Sequence, residues 1–305
     1  MPAFPVSISV NSPIRILLLV CTAICMVEAA GAAEMAGGDG FSVIPAIVPE
    51  PGVGEFEELT FRFSFMQEVR TVSVNVDRSV YLGARNASKV ATIRSGTGPD
   101  GWLTGYYGPF MADPQQDALY TDLLGEFEKI RAGSDLDDDE YVELLTAFVQ
   151  SLPYASDYTQ LRYPVETVVD GRGDCDDRSL LLAALLDRAG YDAALFYFGE
   201  ANHVAVGVAS PDATFGDSGY AIIETTEKNL IGVLPEGMSP AEDVCVIPVS
   251  SGGKAYGRCA ETLAIHQALL DAANTGDQPR YNYIVAHMYD RSVIYAWLTA
   301  SESAV

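Results

Sequence analysis

Apolar and polar residues alternate strictly in two stretches near the start of the chain. Phe61, Phe63 and Phe65 are separated by Arg62 and Ser64, and Val72, Val74 and Val76 by Ser73 and Asn75. Period two is the signature of a half-buried strand. With Gly/Pro turns at residues 49–54 and 96–101, it predicts a β-rich N-terminal region over residues 34–115. The spacing then changes. Tyr120, Leu123, Leu124 and Phe127 recur at helical intervals, as do Val142, Leu145, Val149 and Leu152 before Pro153. The acidic run 134–140 lies between these helices. A calcium loop begun at Asp135 needs Gly at its sixth position and Glu at its twelfth, where Glu140 and Thr146 stand. Asp137 and Glu140 have instead the spacing of a capping box, so the run predicts a helix start.

The strongest hydrophobic signal is Leu180–Leu186, apolar on every side and followed by Gly190. A helix without a polar face is a buried one, and the glycine suits its C-terminal cap. Gly171 and Gly173 predict a tight loop before it, with Asp174 as N-cap and Cys175 as first helical residue. Two strands are predicted downstream, His203–Val208 and Tyr220–Thr226. Taken as an antiparallel hairpin with Val208 opposite Gly219, they set His203 opposite Glu224, with side chains on one face. Leu263, Leu269, Leu270, Ile284, Met288 and Trp297 mark a helical C-terminal segment over residues 251–305. The whole is α+β, with a core over residues 116–250.

Composition narrows the function. The chain of 305 residues carries 42 acidic against 18 basic side chains, a net charge of −24. That charge repels phosphate backbones and excludes nucleic acid as a partner. At 49% hydrophobic residues, the chain can bury a core rather than stay disordered. Arg15, the apolar run Ile16–Val27 and Ala30-Gly31-Ala32 have the order of a signal peptide over residues 1–33. The run is short of the ~20 residues that span a bilayer, so no membrane span is expected in the mature chain, and its place is secreted or extracytoplasmic. Nothing in the sequence sets its oligomeric state. The mature chain keeps three cysteines, Cys175, Cys245 and Cys259. A Cys245–Cys259 disulfide would leave Cys175 as the odd thiol.

Cys175 then invites chemistry. A helix N-terminus favours a thiolate, whereas Asp174, Asp176 and Asp177 oppose one by like-charge repulsion, with Arg178 offsetting part of their field. A working nucleophile here needs an imidazole. His266 and His287 fall in helical text, and His203 with Glu224 beside it is the better partner. There is no HExxH and no paired CxxC for zinc.

The ordered set Cys175, His203 and Glu224 stands in GRGDCDDRSLLLAALLDRAGYDAALF, NHVAVGV and YAIIETT. This text, with LPYASDY and YPVETVVDG before it, resembles secreted archaeal and bacterial members of the transglutaminase-like branch of papain-type cysteine peptidases. The resemblance covers roughly residues 145–235, and Glu224 stands where many relatives carry Asp. It implies a papain-like core, with a Cys-bearing buried helix on an antiparallel sheet. It implies acyl transfer on protein or peptide amides with no required cofactor. Calcium near the active site of related proteases implies Asp174, Asp176 and Asp177 as cation ligands. Gln160 and Tyr163 stand where the second oxyanion donor is expected, beside the Cys175 N–H. The resemblance leaves open a peptidase or amidase, a protein-crosslinking transglutaminase, and a catalytically silent cell-surface interaction module.

Overall fold

A computed structural model describes residues 41–43, 45–93, 99–156, 160–235, 238, 244–288, 290 and 294. The signal predicted over residues 1–33, and Trp297, lie outside the described residues. The alternating stretches form a hairpin, β2 (Phe56–Phe65) and β3 (Glu68–Asp77), after a short β1 (Phe41–Val43). Phe61 opposes Val72 and Phe63 opposes Arg70 in a regular antiparallel ladder. Its two-residue turn, Met66-Gln67, has both φ angles positive, at 48° and 60°. That is the turn that matches strand twist, made here without the glycine or asparagine that usually signals it.

Residues 78–112 differ from the predicted β-rich region. They form α1 (Arg78–Asn86) and α2 (Pro99–Ala112), with the two-residue β4 (Thr92–Ile93) between them paired to β1. In α2, Leu103, Tyr107, Phe110 and Met111 are buried, a helical face hidden in the sequence by weak helix formers and by Pro109 inside the helix. In α1, a Cβ on Gly83 would lie 2.2 Å from the Val48 carbonyl oxygen. The glycine lets the helix touch the extended chain beside it.

Helices α3 (Asp117–Ser134) and α4 (Asp138–Ser151) follow as the spacing predicts. The capping box of α4 forms between Asp137 and Glu140. Arg258 is held within 4.0 Å of Asp137, Asp139 and Glu140, so the acidic run is a capped, ion-paired helix start.

A short α5 (Pro164–Asp170) leads to α6 (Cys175–Arg188). Leu180, Leu181, Leu182, Leu185 and Leu186 have no exposure at all, each burial contributing about 1.5–3 kcal/mol. Tyr191 N–H bonds back to the Leu186 carbonyl, and Gly190 has φ +86°, closing the helix in a Schellman cap.

The chain then builds β5 (Ala193–Phe198), β6 (His203–Ala209), β7 (Tyr220–Ile223) and β8 (Val244–Pro248), ordered β7-β6-β5-β8 and antiparallel throughout. Val204, Val206 and Val208 pack toward the α6 leucines, in one core that also takes in Phe63 and Val72 of the hairpin. Phe196, Phe198, Ala205 and Ile222 pack on the other side of the sheet. Helices α7 (Cys259–Thr275) and α8 (Gln278–Ala286) complete the C-terminal part. Cys245 and Cys259 are not joined in a disulfide. Cys259 is instead buried in the core, with its sulfur against Gly232. No helix among the described residues is long and apolar enough to cross a membrane.

Candidate functional site

The site is assembled where α6 begins. Gly173 N–H donates to the Pro153 carbonyl at 3.2 Å, and Ala155 N–H returns a bond to the Gly173 carbonyl at 3.1 Å. A Cβ on Gly173 would lie 2.8 Å from the Cβ of Asp177, so the loop tolerates only glycine there. Asp174 then caps the helix. Its Oδ1 accepts from Asp177 N–H at 3.2 Å, while Asp177 Oδ2 accepts from Asp174 N–H at 3.3 Å. Cys175 is therefore the first residue of α6, and its N–H belongs to the turn that has no intrahelical acceptor.

Ser179, one turn on, fixes this helix to the sheet. Its hydroxyl donates to the Val204 carbonyl at 3.0 Å and lies 3.0 Å from the Thr225 hydroxyl. The first turn of α6 thus lies against the start of β6. The Val204 backbone favours the thiolate of Cys175, against the larger opposing effects of burial and Asp176. Among the described residues, the side-chain partner of the thiol is Asp176, whose Oδ1 accepts from Sγ–H at 3.3 Å. Burial, with Asp176 adding to it, pushes the Cys175 thiol up to about 12. Asp176 is itself raised by burial, against the bonds it accepts from Cys175 and from Tyr107, whose hydroxyl is 3.2 Å from Oδ2.

His203 Nε2 lies 2.8 Å from Glu224 Oε2. The pairing forms on a register different from the expected one. Val206 opposes Ile223 and Val208 opposes Ala221, an offset that sets His203 toward Thr226 rather than Glu224. A shift of two keeps the same side chains on the same face, and the glutamate reaches the imidazole diagonally, within range of a long side chain. β7 stops at Ile223, which frees Glu224 from the ladder. Burial would raise its carboxyl, but the bonds from His203 and from the Thr226 N–H and hydroxyl outweigh it and hold it below the usual value. Gln150 Nε2 grips the Glu224 carbonyl at 2.7 Å.

Several expected residues stand elsewhere. Tyr163 is fully buried with its ring 4.6 Å from that of Phe110, so it is a core residue and not an oxyanion donor. Gln160 is exposed and lines a pocket with Arg85, Lys89 and Arg162, away from the thiol. Asp177 is turned from the expected cation set. It has no exposure and accepts from Arg162 N–H and Nε, both at 2.9 Å. Ligand atoms of Asp174, Cys175 and Asp176 do lie within 4.8 Å of one another. Two carboxylates and a thiol fall short of the six to eight oxygens that calcium takes. Arg178 is 1% exposed and donates to the Thr226 carbonyl at 3.1 Å and the Val149 carbonyl at 3.0 Å.

Tyr107, Gln150 and Thr226 are the site residues that the sequence did not reveal. Tyr107 carries a helical-spacing signal in α2; the other two carry none. No known protein family and no curated protein matches this chain.

Proposed function

We propose that the protein is an exported transglutaminase-like thiol enzyme, with a papain-like core, that transfers acyl groups from protein or peptide amides through Cys175, His203 and Glu224. One observation carries this reading: the thiol is on the first turn of a buried helix that Ser179 bonds to the Val204 carbonyl of β6, and His203, the first residue of that strand, is held by a buried glutamate. Glu224 occupies His203 Nε2, which leaves Nδ1 to exchange a proton with the thiol. In this reading Sγ–H turns from Asp176 to Nδ1, and proton transfer gives a thiolate and an imidazolium facing Glu224. The sulfur attacks the amide carbon, with the Cys175 N–H donating to the oxyanion. The imidazolium protonates the departing amine as the C–N bond breaks, leaving a thioester. Water, giving its proton to the imidazole, completes hydrolysis and restores the thiol. An amine in its place completes transamidation.

Peptidase or amidase action is the leading form. The test is to incubate extracellular proteins with the protein or with Cys175→Ala and map new chain termini and new isopeptide bonds. New termini only with the intact thiol support a peptidase, and new isopeptide bonds a crosslinking enzyme. Neither product would leave the silent interaction module, which the thiol's bond to Asp176 favours.

A further inference from the structure

The polar pocket that Gln160 lines is formed by residues of α1, of the stretch 160–162 and of α5, with Lys89. It has a volume of about 170 Å³ and is lined by Arg85, Lys89, Gln160, Arg162, Glu166 and Asp170, with Leu161. On the same measure one water needs roughly 10–15 Å³, so there is room for a small organic or inorganic ion. Three basic side chains converge here in a chain that has only 18 against 42 acids.

The carboxylates of the pocket are already engaged. Asp170 accepts from the Tyr81 hydroxyl at 2.8 Å and from Arg162 Nη1 at 2.9 Å. Glu166 Oε2 accepts from Lys89 Nζ and, at 2.9 Å, from Tyr163 N–H. The donors are in surplus. Lys89 is 7% exposed, and its ammonium has Glu166 and the Tyr163 ring, 4.8 Å away, for three N–H groups. Burial pulls Lys89 below its usual value despite its ion pair with Glu166. Arg85 spends one of five N–H groups on the Tyr81 hydroxyl, at 2.9 Å. Among the described residues it has no carboxylate at ion-pair distance. The Gln160 amide has no protein partner among them either.

We propose that this pocket binds a small oxyanion, a carboxylate or a phosphate, between Arg85, Lys89 and the Gln160 amide. The guanidinium of Arg85, which feels Asp170 and Glu166 only from beyond ion-pair distance, sets this chemistry, since it can bind an oxyanion through two parallel N–H groups. Arg162 also reaches from this pocket to the Arg172 carbonyl and to Asp177 of α6, so the ligand would rest on the residues that shape the Cys175 loop. The proposal does not depend on acyl-transfer activity.

Equilibrium dialysis of the full chain with radiolabelled inorganic phosphate and, separately, acetate tests it, with sodium chloride holding ionic strength constant. Saturable binding near one ion per chain is expected, weakened at least about tenfold in Arg85→Gln and less in Gln160→Ala. Both positions are exposed, and thermal unfolding of each variant confirms that it folds. Phosphate alone binding would assign a tetrahedral ligand, and both binding a general oxyanion site. No saturable binding of either ion, or equal binding by wild type and Arg85→Gln, overturns the proposal.

Discussion

The Cys175 Sγ–H faces Asp176 Oδ1 at 3.3 Å, so the thiol rests protonated against its own neighbour in sequence. Burial and this carboxylate together push it up to about 12. Labelling by iodoacetamide at pH 8 is therefore expected to be slower than that of glutathione. Asp176→Asn removes the negative charge and should speed labelling of Cys175, about tenfold for each pKa unit recovered. Mass-spectrometric labelling rates for the two proteins decide it; an unchanged rate would sink the assignment of Asp176 as the restraint.

The same shift has a stability consequence. A thiol raised from about 9 to about 12 on folding keeps its proton in the native state while the unfolded chain loses it. Its contribution is present below pH 9 and is lost as pH rises toward 12. Urea titrations across that window should show a shallower alkaline loss in Cys175→Ser than in the parent protein. Parallel curves would contradict the shift.

Glu224 behaves in the opposite sense. Its carboxyl is held below its usual value near 4.5 by His203 and Thr226, so its contribution is present above that pH and is lost as pH falls through the lowered value. Glu224→Gln should lessen acid sensitivity. If the acyl-transfer reading holds, it also lowers turnover on the order of 10²–10⁴-fold, because the amide no longer stabilises an imidazolium. Activity equal to the parent's would remove Glu224 from the mechanism.

Arg162 and Asp177 form an ion pair with side chains 4% and 0% exposed. Replacing one partner leaves the other buried without compensation, a loss of about 3–5 kcal/mol. Arg162→Met should lower the urea midpoint accordingly. A change within experimental error would show that the pair is not buried in solution.

Ser179 joins the nucleophile's helix to the histidine's strand through the Val204 carbonyl, at 3.0 Å. Ser179→Ala is expected to cost about 1–3 kcal/mol, read by thermal or urea unfolding. Ser179→Thr, which keeps the hydroxyl, should recover part of it. Failure of both variants to differ from the parent would make the bond incidental.

Much of this arrangement was legible in the chain because it rests on local rules. The buried helix over Leu180–Leu186, its N-terminus at Cys175, the capping box of Asp137 and Glu140, and the alternating strands β2 and β3, though not the turn that joins them, all follow from periodicity and capping. Helix α2 was not legible, since Pro109 and its glycines and tyrosines disguise a helix that packing sustains. Asp177 looked like one more acid in an acidic loop. Only folding brings Arg162, far enough away in sequence to leave no periodic signal, onto both of its oxygens. Tyr163 likewise has a core role that its flanking residues do not announce.

By itself, the sequence determined which residues could do chemistry and which segments they begin, because helix and strand periods are short-range properties. The tertiary structure alone decided what each polar group faces. It set the β6–β7 register two residues from the simplest hairpin, and Glu224 still meets His203 because a shift of two preserves the face. It turned the Cys175 thiol to Asp176, sent Arg178 into the core, and gathered three scarce cations around one pocket. Those outcomes depend on which elements pack together, and a buried charge or donor takes its partner from whatever that packing brings within reach.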